Sequence, residues 1–254
     1  MSDTGSITRH DDPAARVATI TFAHPAHNSM SAALLAELVR QLDAVSHDDG
    51  VRAVILRSGG DRTFCAGANF DELLAIDNKV DGERFFLGFA SVILAIRRCA
   101  KPIVVAVQGK AIGGGVGIAA AADYCLATEA AAVRLSELAI AIGPFVILPA
   151  VQRKLGAAAT SELCLDTEWH DADWAHRYGL FQRVYADQTQ LMDAAEALAT
   201  KLAGYSPAAT TRLKHSLWYG TDDWPELLAA RAKVTGELVL GKEARAALSA
   251  FKKK

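Results

Sequence analysis

Gln108 to Gly117, QGKAIGGGVG, running on into IAAAAD, is the stretch on which the reading of this chain turns. Three consecutive glycines cost conformational entropy, and a turn normally needs one. The run implies that something comes close to this backbone: a ligand's polar atom over the free amides of Gly113 to Gly115, or a neighbouring strand packed on a small-residue helix. Working outward, Ile103 to Val107 reads as a strand after the turn at Lys101-Pro102. Val116 to Ala122 reads as a short Ala-rich helix and Tyr124 to Ala127 as the next strand. Gly115, Gly117 and Ala120 also satisfy G-x-G-x-x-A, the dinucleotide fingerprint. That reading fails, because the fingerprint follows its strand directly while Gly109 to Gly114 intervene, and the helix is too short for such a unit.

A second turn, SGGDRTFCAGAN at Ser58 to Asn69, follows a strand and precedes a helical stretch from Phe70 to Ile76. Gly67 can take a conformation forbidden to other residues, which would turn the amide of Ala68 into a cleft; a plain strand-to-helix connection is the alternative. Further out, Arg16 to Phe22 and Val51 to Arg57 read as strands, and Leu34, Leu35, Leu38, Leu42 and Val45 share one helical face between them. The pattern is α/β. After about residue 186 only helical stretches follow: Gln188 to Ala203, Pro207 to Trp218, Trp224 to Leu240 and a short one ending near Phe251. A core at 1–186 and a helical region at 187–254 are expected. Trp218, Tyr219, Trp224, Leu227 and Leu228 exceed what a helical hairpin hides, so this region packs on the core or on another subunit.

Composition narrows the class. The 254 residues are 51% apolar, enough for a sizeable core, and the net charge of -2 offers no basic face for nucleic acid. Its one charge run, Lys252-Lys253-Lys254, reads as a solvated tail. Cys65, Cys99, Cys125 and Cys164 show no C-x-x-C or Cys/His ligand spacing, so buried thiols and no metal site are expected. The polar first fifteen residues and the lack of an apolar run near the ~20 residues of a membrane span point to a reducing cytoplasm.

Together, FCAGAN at 64–69, KPIVVAVQGKAIGGGVGIAAAADY at 101–124, and Glu137 in RLSEL before LAIAIGP resemble the signature segments of the enoyl-CoA hydratase/isomerase (crotonase) superfamily. The likeness extends through HPAHNSMSAALLAEL at 24–38 and the helical C-terminus. It implies a spiral of repeated ββα units with a C-terminal helical oligomerisation region, assembled as a homotrimer or dimer of trimers. It also implies an acyl-CoA substrate, with coenzyme A arriving as part of the thioester and no tightly bound cofactor. Carried over by position, the amides of Ala68 and Gly114 form an oxyanion hole, and Glu137 is the general acid/base. Ala66, Gly67, His27 and Asn28 approach coenzyme A. From position alone, Phe145, Val146 and Ile147 are expected to line the acyl pocket.

Read from its surroundings alone, Glu137 is either a surface carboxylate at a helix start or an acid whose proton affinity is raised by Leu135, Leu138 and Ile140. One departure from the family matters: Gly117 stands where the hydratases typically carry a second Glu. Hydration of a 2-enoyl-CoA with one carboxylate, double-bond isomerisation by Glu137, a different reaction of the same enolate, and a non-catalytic CoA-binding homologue are the readings this leaves.

Overall fold

The computed structural model describes residues 4–251. The strands are β1 (Ser6–Asp12), β2 (Val17–Ala23), β3 (Ala53–Ser58), β4 (Thr63–Cys65), β5 (Ile103–Val107), β6 (Lys110–Ile112), β7 (Tyr124–Thr128), β8 (Ala132–Arg134), β9 (His170–Asp171) and β10 (Arg183–Tyr185). The helices are α1 (Ala32–His47), α2 (Phe70–Ala75), α3 (Lys79–Arg98), α4 (Gly114–Ala121), α5 (Leu148–Asp166), α6 (Ala172–Arg177), α7 (Gln188–Ala203), α8 (Pro207–Leu217), α9 (Trp224–Leu238) and α10 (Lys242–Phe251), with a 3-10 turn at Leu138–Ile140.

Two sheets organise them, one ordered β1-β2-β3-β5-β7-β10 and the other β4-β6-β8-β9. In chain order β3 then β4, β5 then β6, and β7 then β8 each place one strand in each sheet before a helix follows. That is the expected spiral of ββα turns, three times over. The inner strands of the first sheet run parallel, with Val54 beside Ile103 and Val105 beside Cys125, and are buried on both faces. Such strands read as continuous apolar runs, which is why AVILRS and IVVAV were legible. β1 is an antiparallel edge strand with an exposed, polar sequence, SITRHDD, and the sequence reading passed over it.

Ser31 caps α1 by accepting from Leu34 N (3.2 Å), and the five residues predicted to share its face are all buried. That face packs with α3 on one side of the first sheet, while α7 covers the other side through Leu191, Ala195 and Ala199.

α7, α8 and α9 are where the sequence placed them, within two residues at each end, and the short last helix, α10, ends at Phe251 as expected. Trp218, Trp224 and Leu228 are buried in the main core, whereas Tyr219 is 90% exposed. α8 is also fastened by charge: the buried Lys214 donates to Asp123 Oδ2 (2.7 Å) and to Lys101 O (3.0 Å), and Asp123 accepts from Ile103 N (2.8 Å). α9 crosses α3 with Gly82 against Gly236, where a Cβ on Gly82 would lie 2.7 Å from the Gly236 carbonyl oxygen. α10 holds α2 from behind, its Arg245 guanidinium donating to the carbonyls of Leu74 (3.3 Å) and Ile76. Lys252 to Lys254 lie outside the described residues.

Candidate active site

The two glycine turns meet. Gly67 has φ +86°, the region that excludes most side chains, and a Cβ there would sit 3.2 Å from Ile112 O and 3.9 Å from Gly114 N. A parallel bridge joins Met30 to Ala68: Met30 N donates to Gly67 O (2.8 Å) and Asn69 N donates to Met30 O (2.9 Å). In that arrangement the flanking peptides make the hydrogen bonds and the N–H of Ala68 points away from Met30; Ala68 lines a cavity of about 270 Å³.

Gly113, at φ +53°, opens α4, and its carbonyl accepts from Val116 N and Gly117 N. Gly114 is the first residue of that helix and lines the same cavity. Its N–H therefore has no acceptor within the helix, and it stands at the positive end of the helix dipole. Packing accounts for the rest of the run. Cβ atoms at Gly114, Gly115 and Gly117 would strike the Phe89 ring, Cys65 and Ile147 respectively. The close packing that the sequence offered as one explanation of the run is present, and Gly113 and Gly114 also line the cavity.

Glu137 joins them from the loop after β8. A Cβ on Gly113 would lie 2.7 Å from its Oε1, so the carboxyl rests on the glycine turn. Although Glu137 as a residue is half-buried, its Oε2 is closed off from solvent and has no hydrogen-bond partner. Burial pushes the carboxyl up to about 7, and the N–H groups of Glu137 and Ser136 pull it back only in part. Leu135 is fully buried and Ile140 lines the cavity, as expected, but Leu138 is 48% exposed and turned away.

The position facing Gly117 is filled. A Cβ there would lie 2.6 Å from Ile147 Cγ2 and 2.8 Å from its Cβ. An apolar side chain thus stands where a second carboxylate would project. Val146 and Ile147 line the cavity as predicted; Phe145 does not, because its ring lies against Gly143.

Ala66 and Ile112 line both the main cavity and an adjoining groove whose other walls are His27, Arg62, Thr63 and Lys110. His27 is exposed at φ +52°, and its carbonyl accepts from Ala66 N (3.1 Å). Asn28 is buried, and its Nδ2 donates to Gly59 O and Thr63 O (both 2.7 Å), so it ties the turns together and has no amide hydrogen left for a ligand. Arg62 and Lys110 were missed by the sequence reading; each is the single basic residue of a loop or short strand, and only the fold brings them beside His27. Lys110 also lies over the Trp169 ring, 4.9 Å from its centroid.

A family model for enoyl-CoA hydratase/isomerase matches residues 12–254. The chain belongs to that family. Within it, the chain is 33% identical over 231 residues to the "Probable enoyl-CoA hydratase EchA12" of Mycobacterium tuberculosis, covering 86% of this chain and 79% of the relative. It is 29% identical over 239 residues to the short-chain-enoyl-CoA hydratase of Clostridium acetobutylicum, covering 93% and 91%. The crystal structure of an enoyl-CoA hydratase/isomerase from Pseudoalteromonas atlantica superposes with a TM-score of 0.85 at 25% identity, over 98% of this chain and 97% of that one. As a member of the enoyl-CoA hydratase/isomerase family the chain has the fold expected of it.

Proposed function

We propose that the protein adds water to a 2-enoyl-CoA through a thioester enolate. The observation that carries this reading is that Ala68, Gly114 at the N-terminus of α4, and Glu137, whose carboxyl burial pushes up to about 7, line one cavity. With the thioester oxygen between Ala68 N and Gly114 N, charge moving onto that oxygen gains two preorganised hydrogen bonds in a dry site. The ionised Glu137 takes a proton from water as the water oxygen bonds to the β-carbon, and the displaced electron pair moves to the thioester oxygen. Protonated Glu137 then returns a proton to the α-carbon, which restores both the carbonyl and the carboxylate. A carboxyl near 7 does both steps at neutral pH. The names of the relatives in Mycobacterium tuberculosis and Clostridium acetobutylicum support hydration.

Ile147 favours a second reading, isomerisation of a 3-enoyl-CoA, because a single carboxylate that lifts the α-proton and delivers it to the γ-carbon needs no second acid to hold water. The groove of His27, Arg62 and Lys110 suits the phosphates of coenzyme A, with Ala66 and Gly67 beside the pantetheine arm. Coenzyme A enters as part of the substrate, and this chemistry asks for no further cofactor.

A homotrimer or dimer of trimers joined through residues 187–254 belongs to the same reading. It is supported by Leu213, Leu217 and Tyr219, which are 59%, 60% and 90% exposed on and just after α8. A reducing cytoplasm is supported by four free thiols, three of them buried. Among the described residues no helix is long and apolar enough to cross a membrane.

The test is turnover of crotonyl-CoA and of a 3-enoyl-CoA by the wild type and by Glu137→Gln. Hydration of crotonyl-CoA that the variant loses is expected. Reaction of the 3-enoyl substrate alone moves the assignment to isomerase, and binding of thioesters without reaction of either overturns the enzymatic reading.

A further inference from the structure

We propose that Thr235, on the C-terminal helix α9, sets the longest acyl chain the cavity accepts, with a ceiling near eight carbons; the inference rests on the acyl-thioester reading above. α3 serves as the ruler. At one point along it, the Phe89 ring abuts Gly114, one of the two amides assigned to the thioester oxygen. Seven residues earlier, Gly82 meets Gly236 of α9. At a rise of 1.5 Å per residue the two points are about 10 Å apart along the helix. Phe85 and Phe86 line the cavity between them.

Thr235, adjacent in sequence to Gly236, also lines the cavity. It is 1% exposed, and its hydroxyl donates to Arg231 O (3.0 Å), so it offers an arriving chain no free donor. The floor it forms is fixed in place. A Cβ on Gly82 would lie 2.7 Å from Gly236 O and one on Gly236 would lie 2.5 Å from Glu83 N, so the two helices are in backbone contact and cannot approach further. Glu137 is the one charged side chain lining the cavity, so the acyl group that fits beyond the thioester is an uncharged hydrocarbon. An extended chain advances about 1.2 Å per bond, judged from the 3.3–3.6 Å that three backbone bonds span, so about eight bonds reach from the amides to Thr235.

Calorimetric titration with butyryl-, octanoyl-, decanoyl- and dodecanoyl-CoA, none of which carries the double bond the reaction needs, tests the ceiling without turnover. The wild type is expected to bind octanoyl-CoA at least tenfold more tightly than butyryl-CoA, and dodecanoyl-CoA at least tenfold more weakly than octanoyl-CoA. Thr235→Met should lower the octanoyl-to-butyryl affinity ratio at least tenfold, and Thr235→Ala should raise the decanoyl-to-octanoyl ratio at least threefold. Dodecanoyl-CoA binding to the wild type as tightly as octanoyl-CoA, or ratios within twofold of wild type in both variants, would overturn the proposal. The matching 2-enoyl thioesters are followed in parallel. A binding ceiling without turnover supports the ceiling and overturns the reaction; turnover without a ceiling overturns the ceiling alone.

Discussion

The wall of the cavity that carries Ala68, Gly114 and Glu137 is made largely of backbone, whereas the opposite wall is made of side chains from α3 and α9, with α10 bracing it from behind. The first wall is announced locally, each turn by its own glycines and the strand before it, although contacts such as Met30 on Ala68 and Glu137 on Gly113 bring its parts together. The second is long-range, held by Gly82 on Gly236, by Lys214 on Asp123 and by Arg245 on the end of α2. Chemistry that depends on placing two N–H groups tolerates little change in the first wall. Chain-length selection can change in the second without touching the chemistry.

The largest way to break the first wall is through its acid. Glu137→Gln should lower kcat on the preferred enoyl thioester by about 10²–10⁴-fold, the span of general acid/base contributions, while binding of a saturated acyl-CoA persists in calorimetry. On the other side, Lys214→Ala leaves the Asp123 carboxylate without its cation. We expect a loss of about 3–5 kcal/mol in urea unfolding, as when one partner of a buried pair is removed. Gly114→Ala drives a methyl group into the Phe89 ring and displaces one amide, which should cost about 10²–10³-fold in kcat.

The smallest effect is a gain. Glu137 is raised from 4.5 to about 7 by burial, so its ionised form destabilises the fold. The stability it permits is fully present below its unfolded value and is lost as pH rises through about 7, a swing of about 3 kcal/mol. Glu137→Gln should therefore unfold at higher urea than wild type at pH 8 and show no such advantage at pH 4. An equal difference at both pH values would contradict the burial of this carboxyl.

What was legible in the sequence follows the same division. β2, β3, β5 and β7 of the first sheet, the α1 face and the two glycine turns were readable because each is specified by neighbours in sequence: period, apolar runs and residues that tolerate positive φ; the three-residue β10 was not. β1 was missed because an edge strand carries no apolar alternation, and Arg62 and Lys110 because they converge only after the second sheet forms. Phe145 was expected in the cavity from position alone, but its ring is taken by Gly143. No local signal announces that Ile147, thirty residues from Gly117, fills the space beside it, since that contact is made by α5 packing on α4.

The central claim is that Ala68 N and Gly114 N hold the thioester oxygen in front of Glu137. Its most direct test is the infrared carbonyl band of butyryl-CoA labelled with ¹³C at the thioester carbon, bound to the protein. The account predicts a band shifted to lower wavenumber than in solution, kept in Glu137→Gln and returned toward the solution position in Gly114→Ala. A band at the solution position in the wild type would contradict it.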